Sequence, residues 1–256
     1  YAFRSCTSLT NVAMPDSVKS IGTYAFYGCT NLNGVAIGNG VTNIGTYAFY
    51  QCTGLTNAVI GNSVTSIGTY GFYGCTGLTR VVIGNSLTNI GADAFSYCPN
   101  MIEISVSESN SVYSSIAGVL FNKNHTTLIQ CPGGMAGSYT IPDSVTNVSS
   151  YAFYQCAGLT NVIIGNSVAN IGNYAFRSCT SLINVEIPDR VISIGTYAFN
   201  GCTSLTSVAV GNGLTNIGAD AFSSCSNLTR FSVSESNFVY SSIAGVLFNK
   251  SQTTLI

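Results

Sequence analysis

Apolar side chains recur along this chain at an interval of 23 residues, far longer than the 3.6 of a helix or the 2 of a strand. Phenylalanine marks the interval at Phe3, Phe26, Phe49, Phe72 and Phe95, then at Phe153, Phe176, Phe199 and Phe222. Alanine precedes each (glycine once, Gly71), and a cysteine follows three residues on: Cys6, Cys29, Cys52, Cys75, Cys98, Cys156, Cys179, Cys202 and Cys225. Self-similarity at a period of about 20 to 50 residues predicts a solenoid, in which each repeat buries its apolar face only against its neighbours. The expected molecule is a rod with a continuous core.

In the turn from Tyr24 to Thr46, YAFYGCTNLNGVAIGNGVTNIGT, the alternation at Val35 and Ile37 predicts a short strand with one face inward. Gly38, Asn39 and Gly40 follow as turn residues. Other repeats place Pro15 and Asp16, Pro142 and Asp143, or Pro188 and Asp189 there; proline presets φ and Asx side chains bond the nearby backbone. Val41 and Ile44 predict a second extended segment on another face. Gly45, with Gly22, Gly68, Gly91, Gly172, Gly195 and Gly218 at the same position, is expected to turn the chain through positive φ and close backbone approach. TYAFYGC is too short for an independent helix and is expected to form one helical or 3₁₀ turn held by Ala48 and Phe49. Leucine, valine, isoleucine, valine, isoleucine, alanine-phenylalanine and cysteine then point inward in each turn. Stacking at about 4.8 Å would align like residues as ladders.

The repeat CTxLTxVxIPxSVTxIGxxAFxxC resembles the BspA-like branch of the leucine-rich repeats, as does the longer variant SVYSSIAGVLFNKNHTTLIQCPGG, and the match covers essentially the whole chain. The resemblance implies a leucine-rich-repeat-like right-handed coil, β-rich with short helical or 3₁₀ turns. It also implies an extracellular or cell-surface protein with a role in adhesion or protein binding. Residues 1–256 are expected to form a single solenoid domain of about eleven turns.

A second, longer period lies over the first. SESNSVYSSIAGVLFNK from Ser107 returns as SESNFVYSSIAGVLFNK from Ser234, an offset of 127 with one difference, Ser111 against Phe238. Two super-repeats are therefore present. Val119, Leu120 and Phe121 are expected to stand in for a missing AF turn, and residues 131–137 to bulge outward as a loop. The chain starts and stops in mid-repeat without the polar caps a solenoid needs, which suggests either a fragment of a longer array or ends that stack on other copies.

Charge changes the picture little. Only 7% of residues are charged and the net charge is −1, which leaves no basic stripe for nucleic acid. No apolar run approaches the roughly 20 residues of a membrane span, and no signal peptide is visible. Nine of the ten cysteines share one inward position, which predicts a buried thiol ladder, with bridging of neighbours as the alternative. Cys131 lies outside that ladder and is expected to be the most reactive. A spacing of 23 does not suit a zinc site.

The single histidine, His125, corresponds to Gln252 in the other super-repeat, so its position does not demand imidazole. No nucleophile, base and orienting acid can be named together, and no phosphate loop, HExxH or cofactor fingerprint is present, so no catalytic, metal or cofactor residue is assigned. Asp16, Asp143 and Asp189 are turn formers; Asp93 and Asp220 are expected to cap helical turns. A tyrosine ladder (Tyr1, Tyr24, Tyr47, Tyr70; Tyr151, Tyr174, Tyr197) reads as mutual ring stacking or as an aromatic platform. Threonine rows such as Thr30, Thr53 and Thr76 lie on several faces, against the single face an ice-binding surface would need. The strand face is the remaining candidate: Asn57, Val59, Arg80, Val82, Asn161, Ile163 and Glu186 occupy outward positions that vary from turn to turn. Exposed Val59, Val82 and Ile163 would mark a partner surface, although β-propensity gives a second reason for them. Two functions fit: a non-enzymatic interaction scaffold binding a protein partner through this face, or a segment of an extracellular fibre that self-associates end to end.

Overall fold

The computed structural model describes all 256 residues. The chain divides into two compact units, Tyr1–Asn124 with Gln130–Gly134, and His125–Ile129 with Met135–Ile256. Each is a β-solenoid without helix.

In the first unit the strands Gly34–Ile37, Asn57–Ile60, Arg80–Ile83 and Glu103–Val106 form a parallel sheet in chain order. Each residue faces the one 23 positions on, so Val35, Ala58, Val81 and Ile104 make one row and Ile37, Ile60, Ile83 and Val106 another. Asn11 adds an isolated bridge to Gly34. The second extended segments, Ser20–Ile21, Asn43–Ile44, Ser66–Ile67 and Asn89–Ile90, stack as a separate parallel sheet. The second unit repeats the plan with Ala136–Thr140, Gly158–Ile163, Asn184–Ile187, Ser207–Val210 and Arg230–Val233.

The inward residues form the expected ladders. Leu55, Ala58, Ile60, Val64, Ile67, Phe72 and Cys75 are all buried. Phenylalanine rings stack in near-parallel columns, with centroids 5.2 Å apart for Phe26 and Phe49, 4.9 Å for Phe49 and Phe72, and 4.6 Å for Phe153 and Phe176. Each buried ring contributes about 1.5 to 3 kcal/mol.

The AF segment departs from expectation, because it is not helical. The amides of Ala48, Tyr50 and Cys52 donate three residues back, to the carbonyls of Gly45, Tyr47 and Phe49. The alternate amides of Tyr47, Phe49 and Gln51 instead donate to Thr69, Gly71 and Tyr73 of the next turn, at 2.8 to 3.0 Å. Aiming alternate N–H groups at the neighbouring turn requires left-handed residues, and Tyr47 and Gln51 have φ of 55° and 54°. A left-handed residue at each end of the segment stops any helix from propagating. Asp93 and Asp220 occupy the Tyr47 position with φ of 54° and 55°, so they are left-handed turn residues with no helix to cap.

Gly45 meets half of its expectation. Its φ is not positive, but a Cβ there would lie 2.6 Å from the Thr23 nitrogen, so close stacking of turns demands glycine.

At Ser107 the regular pattern gives way to a hairpin, Tyr113–Ile116 with Val119–Asn122, joined by Ala117 and Gly118 at φ of 49° and 81°. Two residues with positive φ give the twist that tight hairpins favour. Val119, Leu120 and Phe121 enter the core as a hairpin strand and are wholly buried. Buried Asn110 pins the hairpin: its amide nitrogen donates to the carbonyls of Gly84 and Leu87, and its oxygen accepts from the amides of Val112 and Tyr113. Tyr240–Ile243 and Val246–Asn249 repeat the hairpin, with Asn237 as the pin.

Residues 131–137 do not bulge outward. Cys131, Pro132 and Gly133 are buried, and Ala136–Thr140 is a strand paired with Gly158–Ile163. Gly133 permits this, since a Cβ there would stand 2.5 Å from the Cys98 carbonyl oxygen.

Truncating a ladder phenylalanine removes a ring together with its stacking partners on both sides. Phe49→Ala is expected to destabilise by about 3 to 5 kcal/mol, whereas Phe3→Ala, at a ring 43% exposed, should cost far less. Urea denaturation midpoints of the two variants check the contrast.

Candidate functional site

The outward rows of the strands carry the candidate site. In the first unit Asn57, Arg80 and Glu103 lie side by side, and Val59, Val82 and Ser105 form the next row. Val59, between Ala36 and Val82, is 45% exposed, whereas Val82, between Val59 and Ser105, is half-buried. Arg80 bonds Glu103 at 3.3 Å; both side chains are well exposed, so the pair is worth no more than about 1 kcal/mol. In the second unit Asn161 lies opposite Asn184 and Glu186 opposite Ala209, and Ile163 is 52% exposed. Four of the seven sequence candidates thus fall in the first unit and three in the second.

Each patch borders a groove. In the first unit Val59, Val82, Asn39, Asn62 and Ser105 line one of about 420 Å³, apolar apart from its amide and hydroxyl rim. In the second, Asp143, Asn161, Ile163, Asn166 and Glu186 line one of about 640 Å³. The turn acids are engaged: Asp143 accepts from the Asn166 amide at 3.1 Å and Asp189 from the Asn212 amide at 2.8 Å. Each carboxylate therefore fixes the turn that follows it, as Asn62 does for Asn85 at 3.3 Å.

Other candidate rows are occupied by structural work. Threonine hydroxyls donate to carbonyls of the preceding turn, as Thr65 does to Thr42 at 3.0 Å and Thr79 to Thr56 at 2.9 Å. The tyrosine ladder stacks, with Tyr24, Tyr47 and Tyr70 at centroid spacings of 4.8 and 5.0 Å. Sequence reasoning missed a second column, Tyr27, Tyr50 and Tyr73, which the tyrosine directly after each phenylalanine signals; Tyr97, two residues after Phe95, extends it without that signal. It also missed the Asn110 pin, whose signal is the SESN motif present in both super-repeats. His125 has φ of 57° and its counterpart Gln252 has 58°, so both serve the same left-handed turn.

All ten cysteines are thiols. Those of the ladder donate across turns, Cys52 to the Phe26 carbonyl at 3.0 Å and Cys75 to that of Phe49 at 3.1 Å. Cys131 is wholly buried, contrary to its expected reactivity, because its segment folds into the core; Cys6 is the exposed thiol. Burial pushes Cys52 up to about 12, with the neighbouring Cys29 adding to it and the backbone hydrogen bond opposing it. Burial likewise pushes Cys98 up to about 12. Burial raises the carboxyl of Asp93, and the Ser96 hydroxyl, 3.0 Å away, opposes the rise. No group of histidine, cysteine and carboxylate side chains is arranged to hold a metal ion, and no helix is long and apolar enough to cross a membrane.

A parallel solenoid of 23-residue turns with these ladders defines a leucine-rich repeat scaffold. The BspA type leucine-rich repeat region matches residues 1–126 and 136–253 in six copies, and the chain belongs to that family. A leucine-rich cell surface protein from Faecalibacterium prausnitzii A2-165 is 30% identical over 91% of this chain and 68% of its own, with a TM-score of 0.72. A leucine-rich repeat protein from Eubacterium ventriosum is 30% identical over 83% of this chain and 63% of its own, with a TM-score of 0.70. The pneumococcal vaccine antigen PcpA shares the fold at 22% identity, covering 93% of this chain and 64% of its own, with a TM-score of 0.71. The chain spans about two thirds of the length of these three. No curated protein matches the sequence.

The thiol ladder has a consequence for stability. Folded thiols near 12 lie above the ordinary value of 9.0 that they regain on unfolding, so their contribution is complete below pH 9 and is lost as pH rises toward 12. Burial raises Tyr50 and Tyr70 too, which act in the same direction. Urea midpoints should be level between pH 7 and 8.5 and fall steadily above about pH 9, less steeply in Cys52→Ala.

Proposed function

We propose that this chain belongs to a surface or secreted protein that binds a protein partner through its strand face and performs no catalysis. The observation that carries this reading is the contrast along each strand. Inward rows are uniform and buried, whereas outward rows differ from turn to turn and leave Val59 and Ile163 exposed beside open grooves. Isolated exposed β-branched residues are ordinary; apolar residues aligned in register along a groove, with polar Asn57, Arg80, Asn161 and Glu186 at the margin, have the composition of a small interface. The description of the Faecalibacterium prausnitzii relative as a cell surface protein supports the location. Turn carboxylates held by backbone amides supply no general base, which supports a binding role over a catalytic one.

Surface plasmon resonance against a panel of host and cell-surface proteins tests the reading. Val59→Asp with Arg80→Ala is expected to weaken capture at least tenfold while circular dichroism stays unchanged, and Ile163→Asp with Glu186→Ala does the same for the second unit. Binding unaffected by both pairs would exclude the strand face. Light scattering that rises with protein concentration, without capture of any partner, would favour end-to-end assembly instead.

A further inference from the structure

Four asparagines of the chain are followed by glycine: Asn33, Asn39, Asn200 and Asn212. Such a pair is chemically labile, because glycine, with no Cβ, lets its backbone nitrogen approach the asparagine side chain. The nitrogen attacks the side-chain amide carbon, ammonia leaves and a five-membered succinimide closes; water then opens the ring at either carbonyl. The product is aspartate or isoaspartate, with one water consumed for each ammonia released. Ring closure needs a side chain free to swing, a backbone free to follow it and a glycine nitrogen without another bond. Three of the pairs are held. The Gly201 amide donates to the Ser223 carbonyl at 2.9 Å, while the Asn200 side chain bonds Arg177 and Ser223. Asn212 donates its main-chain amide to Asp189 at 2.8 Å and accepts the Ser234 hydroxyl on its side-chain oxygen. Asn33 is fixed by its backbone, which donates to Thr10 at 3.0 Å, accepts from Thr56 at 2.9 Å and leads into the strand Gly34–Ile37. Asn39 differs from all three: it is exposed, and neither its side chain nor the Gly40 amide makes a hydrogen bond. At the same place in other turns Asn62, Asp143 and Asp189 accept the amide of the following turn, and Asn39 does not.

We infer that Asn39-Gly40 is a site at which the folded protein modifies itself, and that the reaction places a carboxylate in the groove of the first unit. Asn39 lines that groove with Val59, Val82 and Ser105, and none of the lining residues is charged. Hydrolysis of the one amide therefore makes a neutral groove acidic. The isoaspartyl product does more, since it adds a carbon to the main chain just before Gly40, whose seat against the Asp16 and Val18 carbonyls has no room even for a Cβ. The chemistry holds whether or not the strand face binds a partner.

The folded protein, incubated in mildly alkaline buffer and sampled over weeks, is digested and each of the four asparagines followed by tandem mass spectrometry, with aspartyl and isoaspartyl peptides separated by chromatography. Asn39 should be lost at least fivefold faster than Asn33, Asn200 or Asn212, and isoaspartate should appear among its products. In urea, where the held groups are released, the four rates should converge to within threefold. Loss at Asn39 no faster than at the other three, a bias equally large in urea, or a product containing aspartate without isoaspartate overturns the proposal. Isoelectric focusing gives a second readout. Asn39→Gln, a change at an exposed side chain without partners, should slow the build-up of more acidic species at least threefold, and an unchanged build-up overturns the proposal.

Discussion

The structure depends on one arrangement of backbone: alternate amides of the AF segment bond within the turn, and those between them bond to the next turn. A strand pairs its amides across turns without help, but a seven-residue corner would ordinarily satisfy its own. By sending Tyr47, Phe49 and Gln51 outward to the neighbouring carbonyls, the corner becomes part of the ladder. The turns are then locked in register where the strands are absent, and the phenylalanines are held face to face.

That arrangement costs backbone strain, because left-handed φ is unfavourable by about 1 to 2 kcal/mol for a residue with a Cβ. Among the strained positions are Tyr24, Tyr47, Tyr70, Tyr151, Tyr174 and Tyr197, with aspartate at 93 and 220. Each of these tyrosines gains an inter-turn hydrogen bond worth about 1 kcal/mol, and a stacked ring pair adds about 0.5 to 1.5. Gain and cost are of similar size, which explains why a tyrosine column can occupy sites where asparagine or glycine would be easier. It also explains why a turn cannot hold this shape without its neighbours.

Much of the fold was legible because a period of 23 is a statement about contacts: residues that repeat in the chain must repeat in space. The pattern of one turn places Val35, Ile37, Val41, Ile44, Ala48 and Phe49 inward, and all are buried. The errors share a cause. The AF corner, Asp93 and residues 131–137 depart from their local preferences for a helix, a cap and a loop, because tertiary hydrogen bonding decides there. Inter-turn bonds override the short-range pattern, and Cys131 is buried for the same reason. The strand face was legible as a list of positions; the half-burial of Val82 and the pairing of Arg80 with Glu103 depend on neighbours 23 residues away.

Alternation along the strands has a further meaning for how such a protein changes over generations. The side chains of Asn57, Val59, Asn161 and Ile163 leave the inner rows untouched, so altering them spares the scaffold's stability. Recognition can therefore drift while architecture stays put. Duplicating a whole turn would lengthen the printed surface by one line of type, already aligned with the line above.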